Sequence, residues 1–269
     1  MPELPEIVCR ASEMRDALVG RRIQSIEVLQ PKCLNVDVEV FRDGLIGADV
    51  CGVKNHGKWL FVKTTQGHLL INLGMGGELL LRPADEPPEK WRVRLDIDRD
   101  ETLFVNFWWF GSTHFVQPGK LDEHAQTAKL GPNALDISLD TFVELLSSRR
   151  GRVKAFLLDQ SRIAGIGNAY IHDILFRAGL HPLRPIPTLN SADIERLYGA
   201  IRTELQRSID VGGAWYEVSL FGQPGGFTAD DLLVGYREGK RCPTCGTLIE
   251  KIKTGSTSSF ICPACQRAP

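Results

Sequence analysis

Apolar residues recur every three or four places through the first twenty positions. Leu4, Ile7, Val8, Ala11, Met14 and Leu18 fall on one face, which predicts an amphipathic helix over Glu3–Val19. Pro5 sits in its first turn, where a missing N–H costs nothing, and Glu3 and Glu6 lie at the positive end of its dipole. Gly20 ends it. From Arg22 to about Gln117 the texture changes to short β-rich runs between turns, among them "RIQSIEVL", "WLFVKT", "HLLINL", "WRVRLDID" and "TLFVNFWWF". That spacing predicts an antiparallel sandwich or barrel. The stretch "FVQPGKLDEHAQTAKLGPNALD" has turn formers and little periodicity, and reads as a linker. Helical patterns follow at Ser138–Ser148, Arg152–Leu158, Asn168–Ala178 and Ser191–Val211, the last opened by Ser191-Ala192-Asp193 as its N-cap. The tail is turn-rich and ends in paired cysteines.

Composition narrows the class. The chain has 269 residues, 43% hydrophobic and 24% charged, enough for about two domains. No run approaches the ~20 apolar residues of a membrane helix, and the start lacks the pattern of a signal peptide. The expectation is a cytoplasmic protein with no membrane partner. Seven cysteines in such a setting fit reduced thiols and a metal site better than disulfides. A net charge of −1 says nothing about nucleic acid, but from Arg237 to Pro269 six basic residues face two acidic ones. Such local clustering attracts phosphates, although a solvated basic face has the same composition.

The strongest motif is C-x2-C-x16-C-x2-C, formed by Cys242, Cys245, Cys262 and Cys265. The spacing supplies two ligands from each of two tight turns, and four protein thiolates leave no open position, so the zinc is structural. In "LLDQSRIAGIGNAY", Gly165-Ile166-Gly167-Asn168 joins two helical patterns. It is either a tight helical connection or a helix start whose free N–H groups grip a phosphate. "NHGKWL" puts Lys58 at the mouth of a β-run, as a phosphate contact or a solvated lysine. "NLGMGGEL" flanks Met75 with glycines, and "NFWWFG" carries Trp108, Trp109 and Phe110 in a row. Such side chains belong either to a core or to loop tips that wedge into a base stack.

These segments occur in a familiar order: "MPELPE", the lysine loop, the methionine loop, "LGP", "VKAFLLDQSRIAGIGNAYIHDILFRAGLHPLRP" and the four-cysteine finger. Over essentially its whole length the chain resembles the formamidopyrimidine-DNA glycosylase / endonuclease VIII family. The resemblance implies an α+β protein in four parts. These are an N-terminal antiparallel β-sandwich with flanking helices (1–124), a linker (125–137), a helix–two-turn–helix domain (138–235) and a zinc-finger hairpin (236–269), with the DNA cleft between the halves. It implies a monomer that removes oxidised bases from double-stranded DNA and cuts the resulting abasic sites. Pro2, bared by removal of Met1, would attack the sugar C1′ and form a Schiff base. Glu3 would protonate the opening sugar ring, Glu6 would support, and Lys58 would contact a phosphate and aid proton transfer. Asn168 and Lys154 match backbone-phosphate contacts, and Met75 matches the residue that fills the space left by a flipped base. The chemistry is reasonable for an α-amine, whose ordinary pKa of ~7.7–8.0 leaves much of it unprotonated near neutrality.

The chain departs from that family pattern in three places. Trp108 stands where the guanine-lesion branch has an arginine facing the orphaned cytosine, although Phe110 matches that branch's phenylalanine. An indole cannot give bidentate hydrogen bonds to a base. Thr257, five residues before the third cysteine, replaces an arginine that binds phosphates and aids δ-elimination; Lys251, Lys253 and Arg267 are nearby cations. The loop "GGAWYEVSLFGQPGGF" carries Trp215 and Tyr216 where the family caps the flipped base. An endonuclease VIII-type enzyme for oxidised pyrimidines and a non-catalytic lesion-binding member both remain open on these residues.

Overall fold

The alternation of apolar residues in the first half builds two antiparallel sheets that face each other, as the computed structural model shows. It describes residues 1–98, 100–147, 149–255 and 257–269. The chain divides into two units: Met1–Lys129 with Val211–Gly226, and Leu130–Asp210 with Phe227–Pro269.

In the first unit, α1 (Leu4–Leu18) and α2 (Val38–Asp43) accompany eight strands: β1 (Ile23–Val28), β2 (Val50–His56), β3 (Trp59–Thr64), β4 (Gly67–Asn72), β5 (Glu78–Pro83), β6 (Val93–Ile97), β7 (Glu101–Asn106) and β8 (Ser112–Val116). One sheet has the order β1-β6-β7-β5, the other β2-β3-β4-β8. Register explains the core. Val93 pairs with Val105 and Leu95 with Leu103 in one sheet, while Val62 pairs with Leu69, and Leu69 with Phe115, in the other. These side chains, with Ile7, Met14 and Leu18 of α1, share one buried cluster. In β3 the outer face is covered as well, so Trp59 and Phe61 are buried beside Leu60 and Val62. That is why "WLFVKT" reads as a continuous apolar run rather than an alternation.

The second unit holds α3 (Leu139–Ser147), α4 (Val153–Leu158), α5 (Ile171–Arg177), α6 (Ser191–Ile209) and the hairpin β9 (Glu250–Thr254)–β10 (Thr257–Ile261). Buried Asp173 on α5 accepts from the N–H groups of Leu233, Val234 and Gly235, each at 2.8 Å, fastening the chain just before the finger. Gln266 Nε2 donates to the carbonyl of Leu180, tying the end of the finger to the same helical unit.

Several expected boundaries shift. The cap of α6 is Asn190, not Ser191, because the Asn190 side chain accepts from Asp193 N–H while Asp193 answers to Asn190 N–H. The helix expected from Asn168 begins at Ile171, and Asn168 lies in the preceding turn. The run "TLFVNFWWF" leaves the sheet after Asn106, and β8 extends into residues read as linker. Ser148, the expected end of the first helix in this unit, lies outside the described residues.

Candidate active site and nucleic-acid interface

The N-terminus is held by carboxylates. Glu3 is the N-cap of α1 in a reciprocal capping box with Glu6, and the Glu3 N–H donates to Glu6 Oε2 at 2.8 Å. Glu6 Oε1 accepts from the backbone N–H of Ala214, 208 residues away, at 3.1 Å. Gly213 makes that approach possible: its φ is +93° and an added Cβ would stand 3.1 Å from Glu6 Cγ. Pro2, Glu3 and Glu6 are all buried. Glu217 comes from the same returning segment, and its Oε1 lies 3.4 Å from the Met1 amine. Three glutamates from two distant stretches therefore gather at the chain terminus. Glu217 was not singled out by sequence, because only the return of residues 211–226 to the first unit places it there.

A second group forms one rim of the sandwich. Lys58 occupies the two-residue turn between β2 and β3, with Gly57 at φ +55° ahead of it, the position where a II′ hairpin turn requires glycine. Asn72, at the end of β4, donates from Nδ2 to the Lys58 carbonyl and accepts at Oδ1 from Gly74 N–H. One side chain thus fixes both the lysine turn and the entry to the methionine loop. Met75 in turn exchanges backbone hydrogen bonds with the aromatic loop: Met75 N–H to Trp109 O at 2.8 Å and Trp108 N–H to Met75 O at 3.0 Å. At Gly74 a Cβ would meet Trp109 O at 2.2 Å, so only glycine permits the junction.

The tips of these loops are bare. Met75 is 47% exposed, Trp108 66% and Phe110 81%, which places them outside the core. Phe110 also holds φ +60°, a left-handed conformation that costs a bulky residue on the order of 1–3 kcal/mol. An exposed aromatic side chain in a strained backbone, in a loop pinned at both ends, is an arrangement suited to contact with something outside the chain. Trp215 and Tyr216 add a T-shaped pair at 4.8 Å in the same unit.

In the second unit, Gln160 shapes the turn ahead of α5. Its Oε1 accepts from Gly165 N–H, and its Nε2 donates to the carbonyls of Leu158 and Ile166. Asn168 is exposed on that turn. Lys154 is different: it is 3% exposed, and its Nζ lies within 3.0 Å of Thr254 Oγ1, Thr257 Oγ1, Ser258 O and Ser259 Oγ. Burial lowers its pKa to about 8. Where the resemblance implies a phosphate contact, the ammonium is here engaged by the finger hairpin. Lys154 instead joins α4 to β9 and β10. Thr257 points its hydroxyl at Lys154, while Lys251 and Lys253 are exposed.

The four cysteines of the finger converge. All four Sγ atoms lie within 4.8 Å of one another, with separations of 3.9 Å (Cys242–Cys265), 3.4 Å (Cys245–Cys262) and 3.6 Å (Cys245–Cys265). Tetrahedral thiolates at ~2.3 Å from zinc would place their sulfurs ~3.8 Å apart. The donor set therefore fits one structural zinc, bound by Cys242, Cys245, Cys262 and Cys265.

A two-sheet sandwich with carboxylates at its chain terminus, a helical unit and a four-thiolate finger define a class, and comparison with known proteins specifies it. Residues 1–112 match the formamidopyrimidine-DNA glycosylase N-terminal domain, 130–219 the formamidopyrimidine-DNA glycosylase H2TH domain, and 239–268 the zinc finger found in FPG and IleRS. The chain is 34% identical over 275 residues to a formamidopyrimidine-DNA glycosylase of Bacillus cereus, covering 99% of both chains. It is 32% identical over 276 residues to one of Streptococcus pneumoniae, again covering 99% of both. Among solved structures, the Lactococcus lactis Fpg in complex with DNA containing an abasic site matches with a TM-score of 0.91 and 28% identity, over 99% of this chain and all of that one. MutM in complex with DNA containing carbocyclic 8-oxo-G matches at 0.90 and 29%, with the same coverage. The chain belongs to the formamidopyrimidine-DNA glycosylase family.

Proposed function

We propose that this protein is a bifunctional DNA glycosylase and abasic-site lyase, working as a cytoplasmic monomer on double-stranded DNA with damaged bases. The observation that carries the reading is the chain terminus held among Glu3, Glu6 and Glu217 in a member of this family. Removal of Met1 leaves Pro2 as a secondary α-amine, which is less basic than a lysine and has no floppy stem. A damaged base is rotated out of the stack. The Pro2 nitrogen then forms a bond to C1′ while the C1′–base bond breaks and its electron pair leaves with the base. Glu3 protonates the ring oxygen as the sugar opens, which leaves a Schiff base on Pro2 that permits β-elimination. Lys58 and Asn168 hold flanking phosphates, and Met75 with Phe110 occupies the vacated stack. Borohydride should trap a covalent adduct on abasic DNA, mapped by peptide analysis to Pro2. A folded, DNA-binding protein with a free Pro2 terminus and no adduct refutes the reading and favours a lesion-binding protein without turnover.

Two departures make this an atypical member. Trp108 offers a broad stacking face and one N–H donor, so it lacks the paired donors that read a cytosine. Excision should vary less than about threefold among the four opposite bases, against the ~1–3 kcal/mol that a bidentate base contact usually supplies. A strong cytosine preference in single-turnover assays would rule this out. Thr257 brings no charge to the finger tip, and Lys154 behind it is buried. The cleavage product should accordingly be mostly that of β-elimination, with Thr257→Arg raising the δ-elimination fraction; gel analysis showing mainly δ-product in the unaltered protein would contradict it.

A further inference from the structure

Residues 211–226 run along α1 and are pinned to it at two points. Glu6 Oε1 accepts from Ala214 N–H at 3.1 Å, and Glu13 Oε2 accepts from Leu220 N–H at 2.7 Å. Glu6, Arg10 and Glu13 lie on one face of α1 at helical spacing. Residues 214, 217 and 220 answer them from the returning segment. Glu217 is thus held between two backbone clamps, midway along the pinned stretch, with its side chain only 11% exposed. Its backbone is tied as well: the Glu217 N–H donates to Ala214 O, and the Glu217 carbonyl accepts from Gly225 N–H. The geometry leaves the carboxyl few places to go, and it points at the chain terminus, 3.4 Å from the Met1 nitrogen. Loss of Met1 moves that terminus by a single residue, ~3.8 Å between Cα atoms, within reach of a side chain with two methylenes.

We infer that Glu217 is a further catalytic residue of this site, the base that takes a proton from the N-terminal amine and leaves its lone pair free to attack the sugar. The proton moves from the Pro2 ammonium to Glu217 Oε1, and no other bond changes. Glu6 is spent on two backbone N–H groups and Glu3 on the helix cap, so neither is so well placed for this exchange. The groups facing Glu217 are the terminal amine, Glu6 and Arg10. Burial pushes Glu217 up to about 7; the amine opposes this, Glu6 adds to it and Arg10 opposes it again. A carboxyl raised toward neutrality is a better proton acceptor near pH 7 than an ordinary glutamate.

This inference rests on the proposed amine chemistry, and the experiment separates the two. Protein with a free Pro2 terminus, verified by mass, is trapped with borohydride on abasic DNA from about pH 5 to about pH 9. A base is active when deprotonated, so trapping by the unaltered protein should rise through about pH 7. Glu217→Gln should slow trapping about tenfold or more at neutral pH and move the rise to higher pH, because the amine must then lose its proton to solvent. Its DNA affinity and melting temperature should be unchanged, and Glu217→Asp should retain the rise near 7 with a lower rate. An unshifted profile in Glu217→Gln overturns the inference, as does a loss that is uniform across pH. If Glu217→Gln does not fold, Glu217→Asp decides: absence of the lower rise overturns the inference. No adduct with the unaltered protein instead overturns the amine chemistry itself.

Discussion

Replacing Glu3 by glutamine should slow base excision by ~10²–10⁴, the usual contribution of a positioned general acid, while leaving lesion DNA binding within about twofold. The observed cap and the proposed acid role of this residue can be tested apart. As N-cap of α1, Glu3 accepts a hydrogen bond from the Glu6 N–H, and its own N–H donates to Glu6 Oε2. A glutamine carbonyl still accepts at the cap, so the helix start and the Ala214 clamp through Glu6 are retained. It has no acidic proton to give to the sugar oxygen. Glu3→Ala removes the cap as well and should cost a further ~0.5–2 kcal/mol of stability. Single-turnover excision, a binding isotherm and a melting curve measured on both variants make the distinction. Excision at the normal rate by Glu3→Gln would assign the acid to another carboxyl, with Glu217 the first candidate. A joint loss of excision, binding and stability would reduce Glu3 to a cap.

What could be read in advance follows the range of the interactions. Helix α1 was legible because its apolar face repeats locally, and strands such as β3 and β6 because β-branched residues pack between turns. The zinc site was legible from spacing alone, since two Cys-x2-Cys turns supply the ligands without reference to the rest of the chain. The ends of elements were harder. Ser191 and Asn190 are both good caps by type, and only the position of Asp193 three residues beyond Asn190 gives that residue the reciprocal pair. The aromatic run 107–110 looked like the tail of a strand by composition. The backbone exchange with Met75 pulls it out of the sheet instead.

Pro2, Glu3, Lys58 and Met75 became candidates through the family resemblance of the short stretches that hold them; the residue types alone left their roles open. Asn72 did not stand out, because an asparagine at a strand end looks like a turn residue until its two partners, Lys58 O and Gly74 N–H, are known. Glu217 depends on a return of more than two hundred residues that no periodicity encodes. Lys154 entered as a phosphate contact through the family resemblance, and nothing local to α4 shows that the Thr- and Ser-rich hairpin supplies enough oxygen atoms to hold its ammonium in the interior.

That hairpin is also where removal of a ligand should have its largest effect. Stripping the zinc, or replacing Cys262 with serine, should melt β9–β10 and weaken DNA binding by about a hundredfold or more, with the first unit still folded. The finger's apolar core is small: its buried cluster comprises Phe176, Val234, Ile249, Phe260 and two of the ligands themselves. Against so small a core, a structural zinc contributes on the order of 10 kcal/mol. Without the metal, sulfurs spaced 3.4–3.9 Å apart lose the ion that holds them together. The damage then spreads inward through Lys154, because among the described residues the acceptors of its Nζ are Thr254, Thr257, Ser258 and Ser259 of the hairpin. A buried ammonium left without partners is costly, so α4 and the turn carrying Asn168 should loosen with the finger. Hydrogen exchange should therefore show lost protection in β9–β10 first and in α4 second, with β3 and β4 unaffected. Chelator titration should release one zinc per chain over the same range. Full protection of β9–β10 in protein shown to be metal-free would mean that the finger holds itself together by packing, and that the four cysteines stabilise it far less than their geometry implies.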